Sequence, residues 1–447
     1  MPDRQRPDTR RGQPAPKAAR CARALAILFL ALTGQASAQA LDRYFPANVP
    51  AYQDWIAAAS PVQEDGVAQP QGVRLGNVIV RPEAAEQAGY DSNPFLGGAQ
   101  GGTAVVNSQA SINADTDWTR DALDARISVD DTRFLAFPHR SFTDWTAAFG
   151  AKLDYADDRI EFGYAHLNTV TLPTSVAAFG IQSAITDQVD DLRLSDTIGT
   201  GRLQLVPQIV GQIYRFDAAP GSGSLAGDGT FNRDAATASL TASFSFAGGH
   251  NLLAILSDSA VEYLGGAAGL RPANYNDVSF LAGVEYRQSA IFAYRLLAGY
   301  ENRAATGRGL VAGTITSPAA ELDLIYKPTV LTTLTFTLSR SLQNEPTGLA
   351  QGLAEVSAKL AVDHSLSRKV MLRAAAEYVR ADFPGNGPTQ SSTEVDLSAV
   401  WRLARNVTLS AEYHLVHTSG GAQTGGGETG SGGFTRHQAL LGVRFDI

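Results

Sequence analysis

Cysteine is almost absent from this sequence: its 447 residues hold one, Cys21. That count excludes an internal disulfide and a multi-thiolate metal site. Charged residues make up 18%, below the roughly 25% of an average soluble protein. A basic excess is missing too, the formal net charge being −8, and nucleic-acid binding needs a basic footprint. Long apolar runs are also lacking. No stretch approaches the ~18 consecutive apolar residues of a transmembrane helix. A chain of this kind can cross a bilayer only as a closed β-barrel, in which every strand edge is paired.

What the sequence has instead is glycine, 43 residues, and a two-residue alternation. Residues 394–418 show it best. Val395, Leu397, Ala399, Trp401 and Leu403 alternate with Glu394, Asp396, Ser398, Val400 and Arg402. The chain turns at Ala404-Arg405. Val407, Leu409, Ala411, Tyr413 and Leu415 then alternate with Thr408, Ser410, Glu412 and His414. Successive strand side chains point to opposite faces, so this is a hairpin with one apolar and one polar face. Each arm of about ten residues suits a tilted strand crossing a bilayer core.

Residues 1–38 read as a secretory signal peptide. Seven basic residues (Arg4, Arg6, Arg10, Arg11, Lys17, Arg20, Arg23) precede the apolar run 24–32, and Ala36-Ser37-Ala38 offers a cleavage site. Gly12-Gln13-Pro14 after Arg10-Arg11 speaks against twin-arginine export. Cys21 lies before the apolar run, so it is no lipoprotein cysteine. Cleavage would remove two acids with the seven basic residues, leaving a net charge of −13 and no thiol. A thiol-free chain suits passage through an oxidising compartment.

Residues 39–73, with Tyr44, Phe45, Tyr52 and Trp55 among Pro46, Pro50, Pro61 and Pro70, alternate poorly and read as an irregular periplasmic segment. From Arg74 to the end, alternation dominates. Short connections (Asp157-Asp158, Gly248-Gly249, Gln288-Ser289, Lys327-Pro328, Ser367-Arg368, Ala404-Arg405) interleave with long polar ones at 170–188, 217–232, 264–275, 303–312, 382–391 and 418–433. Tight periplasmic turns with long extracellular loops are the outer-membrane pattern. Seventeen strands are plain, and topology demands a returning one at 188–198. The expected fold is therefore all-β: a transmembrane antiparallel up-and-down β-barrel, 74–447, of about 18 strands. Sixteen is the alternative, because the first two strands alternate poorly and Pro82 and Pro207 each remove a ladder donor. Val443, Phe445 and Ile447 end the chain on one face of its last strand, an expected signal for outer-membrane assembly machinery.

The residues Gln71-Gly72-Val73-Arg74-Leu75-Gly76-Asn77, Arg81-Pro82 and Gly89-Tyr90-Asp91-Ser92-Asn93-Pro94-Phe95 resemble the opening of the putative beta-barrel porin 2 family. The resemblance covers most of 71–447. It implies an outer-membrane barrel and, through relatives linked with exopolysaccharide export, a second activity with polysaccharide export components as partners. It brings no catalytic residues.

Thirteen charged residues fall on the predicted inward face: Arg126, Lys152, Asp154, Arg287, Arg295, Lys359, Asp363, Arg373, Glu377, Asp396, Arg402, Glu412 and Arg444. Opposed charges across a lumen would pass small polar solutes; the alternative is that they merely solvate the wall. Predicted inward aromatics are few, which disfavours a sugar slide. Tyr155, Tyr263, Tyr286, Tyr300, Tyr326, Tyr378 and Tyr413 read as interfacial girdles. His414 and His417 with Glu412 could serve a rim hydrolase, but no glycine-flanked serine accompanies them. Acidic pairs at Asp130-Asp131, Asp157-Asp158 and Asp190-Asp191 point to opposite faces if in strands, so metal sharing needs a turn. The glycine runs at 221–229 and 420–433 lack the context of a phosphate loop. The expectation is a non-enzymatic channel for passive diffusion in the outer membrane of a Gram-negative bacterium. It needs no cofactor and no catalytic or metal site, binds no nucleic acid, and is surrounded by lipid and lipopolysaccharide.

Overall fold

The computed structural model describes residues 45–53, 72–95, 101–156, 158–172, 184–218, 232–265, 273–287, 289–306, 313–343, 352–382, 389–419 and 433–446. The expected signal peptide, Ile447 and both glycine runs but for Gly433 lie outside these residues. All the described residues belong to one compact unit.

Among the described residues, nineteen strands follow in order. They are β1 (Val73–Leu75), β2 (Val78–Asp91), β3 (Thr103–Thr116), β4 (Ala122–Phe134), β5 (Phe142–Tyr155), β6 (Asp158–Thr171) and β7 (Ile185–Thr200). Next come β8 (Leu203–Ala218), β9 (Arg233–Ala247), β10 (His250–Tyr263), β11 (Tyr275–Tyr286), β12 (Phe292–Ala305) and β13 (Thr314–Thr329). The last six are β14 (Thr332–Gln343), β15 (Leu353–Ser367), β16 (Val370–Asp382), β17 (Thr389–Ala404), β18 (Val407–Ser419) and β19 (Phe434–Asp446).

Each strand from β2 onward pairs antiparallel with the next, and β19 pairs with β2, Asp446 opposite Glu83 and Gln438 opposite Asp91. The ring is thus a closed barrel of eighteen strands, as the alternation predicts, and among the described residues closure leaves no edge of the ring itself unpaired. The short β1 is an extra strand on β2, Val73 opposite Val80. The predicted returning strand is β7. Pro82 and Pro207 lie inside β2 and β8, which run through them. Lys327-Pro328 is not a turn: β13 continues to Thr329 and reverses at 330–331. The register shifts between Tyr326 and Thr329, where proline has no N–H to donate, so the ladder is interrupted before the chain turns. Among the described residues the one helical turn is Pro138–Arg140, and no helix is long and apolar enough to cross a membrane.

Alternation gives the wall two faces. Ile127, Phe149, Leu192, Leu194, Phe280, Leu397 and Phe445 are large, apolar and exposed, and the register places them all on the outside. Towards the long-loop ends this outer face turns polar: His166 Nδ1 lies 2.8 Å from Asp190, and Arg215 Nη1 lies 2.9 Å from Asp234. Near the short-turn ends it carries an aromatic group, where His250 stacks on Tyr286 at 4.6 Å and Tyr294 adjoins both.

The buried core is on the inside. Ala148, Ala165, Leu167, Val189, Tyr214, Phe216, Val261, Tyr263 and Tyr275 form one cluster with Phe45, Val49 and Tyr52. Residues 45–53 belong to the segment 39–73, for which the sequence predicts an irregular course on the periplasmic side. They are irregular, but they lie against the inner wall of β5 to β7. The physical reason is that the glycine pair Gly150 and Gly163, opposite each other in β5 and β6, leaves room there. A methyl group on Gly150 would come within 2.6 Å of the Pro50 carbonyl oxygen, and one on Gly163 within 2.6 Å of the Tyr52 ring.

Candidate luminal site

Cross-strand register builds the polar inner wall. Lys359 stands opposite Glu377 and Asp363 opposite Arg373 on β15 and β16. Asp396 faces His414 on β17 and β18, and Ser398 faces Glu412. Arg126 and Lys152 share this inward side on β4 and β5, as do Asp154, Arg295, Arg402 and Arg444 on their strands. Arg287 follows the last residue of β11 and binds inward Glu285 at 2.8 Å.

Most of the thirteen charges are joined to a neighbour along the wall. Lys359 Nζ lies 2.9 Å from Glu377, Arg295 2.8 Å from Glu321, and Arg159 2.7 Å from Asp154. Arg373 is 3.7 Å from Asp363, and Arg444 is 3.3 Å from Asp446. Arg126 donates to Asn113 Oδ1 at 3.2 Å. Lateral pairing of this kind keeps charged groups in contact with lumen water while cancelling most net field, so such pairs contribute little to stability. The pairs lie along the wall rather than across the lumen.

His414 is held between two carboxylates: Nδ1 is 2.5 Å from Asp396 Oδ1, and Nε2 is 3.6 Å from Glu412. Gln87 on β2 donates to Glu412 at 2.8 Å. Glu394, Asp396 and His414 bring one ligand atom each within 4.8 Å of one another, a set that could hold a cation. His417 does not join them. It points outward and pairs with Thr435 at 2.9 Å. Adjacent Asp190 and Asp191 point to opposite faces, as expected, and make separate bonds.

The inner wall carries more aromatics than alternation predicts. Tyr263, expected in an outer girdle, is buried inside, and Tyr214, Phe216 and Tyr275 are inward too. Arginine covers them: Arg233 lies 4.4 Å from the Tyr214 ring centroid and 5.0 Å from that of Phe216, and Arg303 lies 4.4 Å from that of Tyr275. Cation–π contact offsets part of the cost of burying such charges. Arg303, fully buried, also donates through Nη2 to Asp277 at 2.7 Å and through Nη1 to the Gln343 carbonyl at 3.1 Å.

The motif at 89–95 is a clasp between the first and last barrel strands. Arg436 on β19 donates to Asp91 through Nε at 2.9 Å and Nη2 at 2.6 Å. The Ser92 and His437 backbones bond at 2.8 Å, and His437 N donates to Ser92 Oγ at 2.8 Å. Phe95 ends the motif in an aromatic cluster, 5.0 Å from Phe134. Gly89 is required by closeness, since a methyl group there would fall 1.8 Å from the Ala439 carbonyl oxygen. Of the expected assembly signal, Val443 and Phe445 lie on the outward face of β19.

The family model described as Putative beta-barrel porin 2 matches residues 66–250 and 271–445. No curated protein matches the sequence. Among solved structures, the FrpB iron transporter from Neisseria meningitidis (F5-1 variant, apoprotein form) is 8% identical with a TM-score of 0.45, over 84% of this chain and 82% of that one. OccK2 of Pseudomonas aeruginosa is 11% identical with a TM-score of 0.43, over 83% and 98%. OccAB3 of Acinetobacter baumannii is 10% identical with a TM-score of 0.41, over 82% and 99%. At these identities the likeness concerns fold alone.

Proposed function

The chain belongs to the Putative beta-barrel porin 2 family, porin-like outer-membrane barrels with a channel or transporter role, and from that premise we propose that it passes small polar solutes by passive diffusion. The observation that carries this reading is the inner wall of β15 to β18, where Lys359, Arg373, Asp396 and His414 remain between 30% and 43% exposed although paired. A barrel of this strand number is wide enough for an aqueous lumen. Its charges, acidic and basic in alternation, replace part of a solute's hydration without trapping it. Diffusion of this kind requires no catalytic residue and no cofactor.

Export by the 1–38 leader and recognition of outward Val443 and Phe445 by the assembly machinery complete the proposal. The apolar outer face is then solvated by lipid and lipopolysaccharide. Swelling of proteoliposomes in solutes of graded size tests it: swelling should fall with solute size, and no swelling in any solute would contradict it.

Export of a polysaccharide is a second reading, favoured by the inward rings of Tyr214, Phe216 and Tyr275. Stacking on a sugar needs an open ring face, however, and Arg233 and Arg303 already cover these. Loss of exopolysaccharide on gene deletion would restore this reading over the first.

A further inference from the structure

We propose that residues 45–53 are a tethered plug, a removable occupant of the lumen that sets its conductance; this rests on the channel reading above. Three observations support it.

The seat is shaped for the segment. Gly150 and Gly163 are paired on the inner wall and admit the segment where any side chain would collide with Val49, Pro50, Ala51 or Tyr52. Val49 is 0% exposed, so the fit is close.

A specific latch holds it. Tyr52 Oη lies 3.0 Å from Asp191 Oδ1 and 3.1 Å from the Asp191 carbonyl, donating between them. The Arg193 guanidinium lies 4.7 Å from the Phe45 ring centroid and 4.6 Å from that of Tyr52, and the two rings stack at 5.2 Å. Asn48 Nδ2 reaches Asn113 Oδ1 on β3 at 3.3 Å.

Neither the buried carboxylate of the wall nor the closure of the ring depends on the occupant. Asp191 also accepts from Arg193 at 2.9 Å and from Gln212 at 2.7 Å. Departure of Tyr52 therefore leaves that buried carboxylate paired, avoiding the large penalty for an orphaned charge. The ring β2 to β19 is closed without residues 45–53. A segment with a dedicated seat, no part in closure and no buried carboxylate that depends on it alone is built to come and go. Its removal would widen the lumen along β5 to β7.

Single-channel recording in planar bilayers tests this on one protein in two states. In a Cys21→Ser background, Asn48→Cys and Asn113→Cys are joined by a short, reducible bis-thiosulfonate linker. The expected result is loss of the higher conductance levels on cross-linking and their return on reduction. A chain lacking residues 45–53 should stay at the higher level, and Gly163→Leu, which removes the seat, should shift towards it. Equal, non-zero conductance in all these forms would overturn the plug and leave the channel intact. Silence in every form, the deletion included, would overturn both.

Discussion

Asp91 and Arg436, 345 residues apart, are joined by two hydrogen bonds across the seam where the last strand meets the first. Asp91 is fully buried, and Gln438 adds a third contact at 3.3 Å. Removing one partner of a buried pair strands the other charge, at about 3–5 kcal/mol. Arg436→Ala should therefore lower stability by about that amount in denaturant unfolding from detergent micelles. A loss below about 1 kcal/mol, the usual worth of an exposed pair, would show that the seam does not depend on this clasp.

The two faces of β17 make a paired prediction. Leu397 is exposed on the outside and Ser398 is its inward neighbour. Arginine at a lipid-facing position near mid-membrane costs about 2–4 kcal/mol, whereas lumen positions tolerate charge. Leu397→Arg should destabilise the folded barrel in lipid by that amount and Ser398→Arg, placed opposite Glu412, hardly at all. Equal costs would mean that the faces are misassigned.

Selectivity should follow the carboxylates around His414. Asp396→Asn combined with Glu412→Gln removes two acidic groups from the lumen wall and leaves the arginines. The reversal potential in a salt gradient should move towards anion preference. An unchanged potential would place the permeation path elsewhere.

Alternation makes much of this architecture legible in the sequence. Strand starts follow from the period of two, because one face must meet lipid and the other water, and the hidden β7 follows from the order of short and long connections. The thirteen inward charges fall on one face for the same reason. Lys327-Pro328 misled because proline ends hydrogen bonding without reversing the chain. Tyr263 misled because a ring near a strand end suits a girdle, and parity fixes its side only when the register is known. Residues 45–53 have no periodicity to read. Their place follows from tertiary fit, and the one local hint was a pair of glycines, Gly150 and Gly163, at inward positions. Asp91 and Arg436 meet only because the barrel closes, which no local pattern records.

Tyr52 gives a pH prediction. Burial, reinforced by the Asp191 carboxylate, pushes its phenol above the usual range, against a smaller opposing effect of Arg193. A raised value means that the latch is fully present below the ordinary phenol value of about 10 and is lost only as pH climbs beyond it. Alkaline absorbance titration of the wild type minus Tyr52→Phe should reveal one tyrosine ionising above that value. Ionisation at the ordinary value would contradict the buried latch.

Transport through the lumen presupposes that hydrocarbon chains contact the outer face. Trp145 and Trp401 both lie on that face, at opposite ends of the barrel wall. The direct measurement is fluorescence of proteins retaining each tryptophan singly, reconstituted in bilayers whose acyl chains carry bromine at different depths. Strong quenching of both, each deepest with bromine near one interface, is the predicted result. Fluorescence indifferent to brominated lipid would show that these apolar faces are buried against protein, and the channel reading would fall.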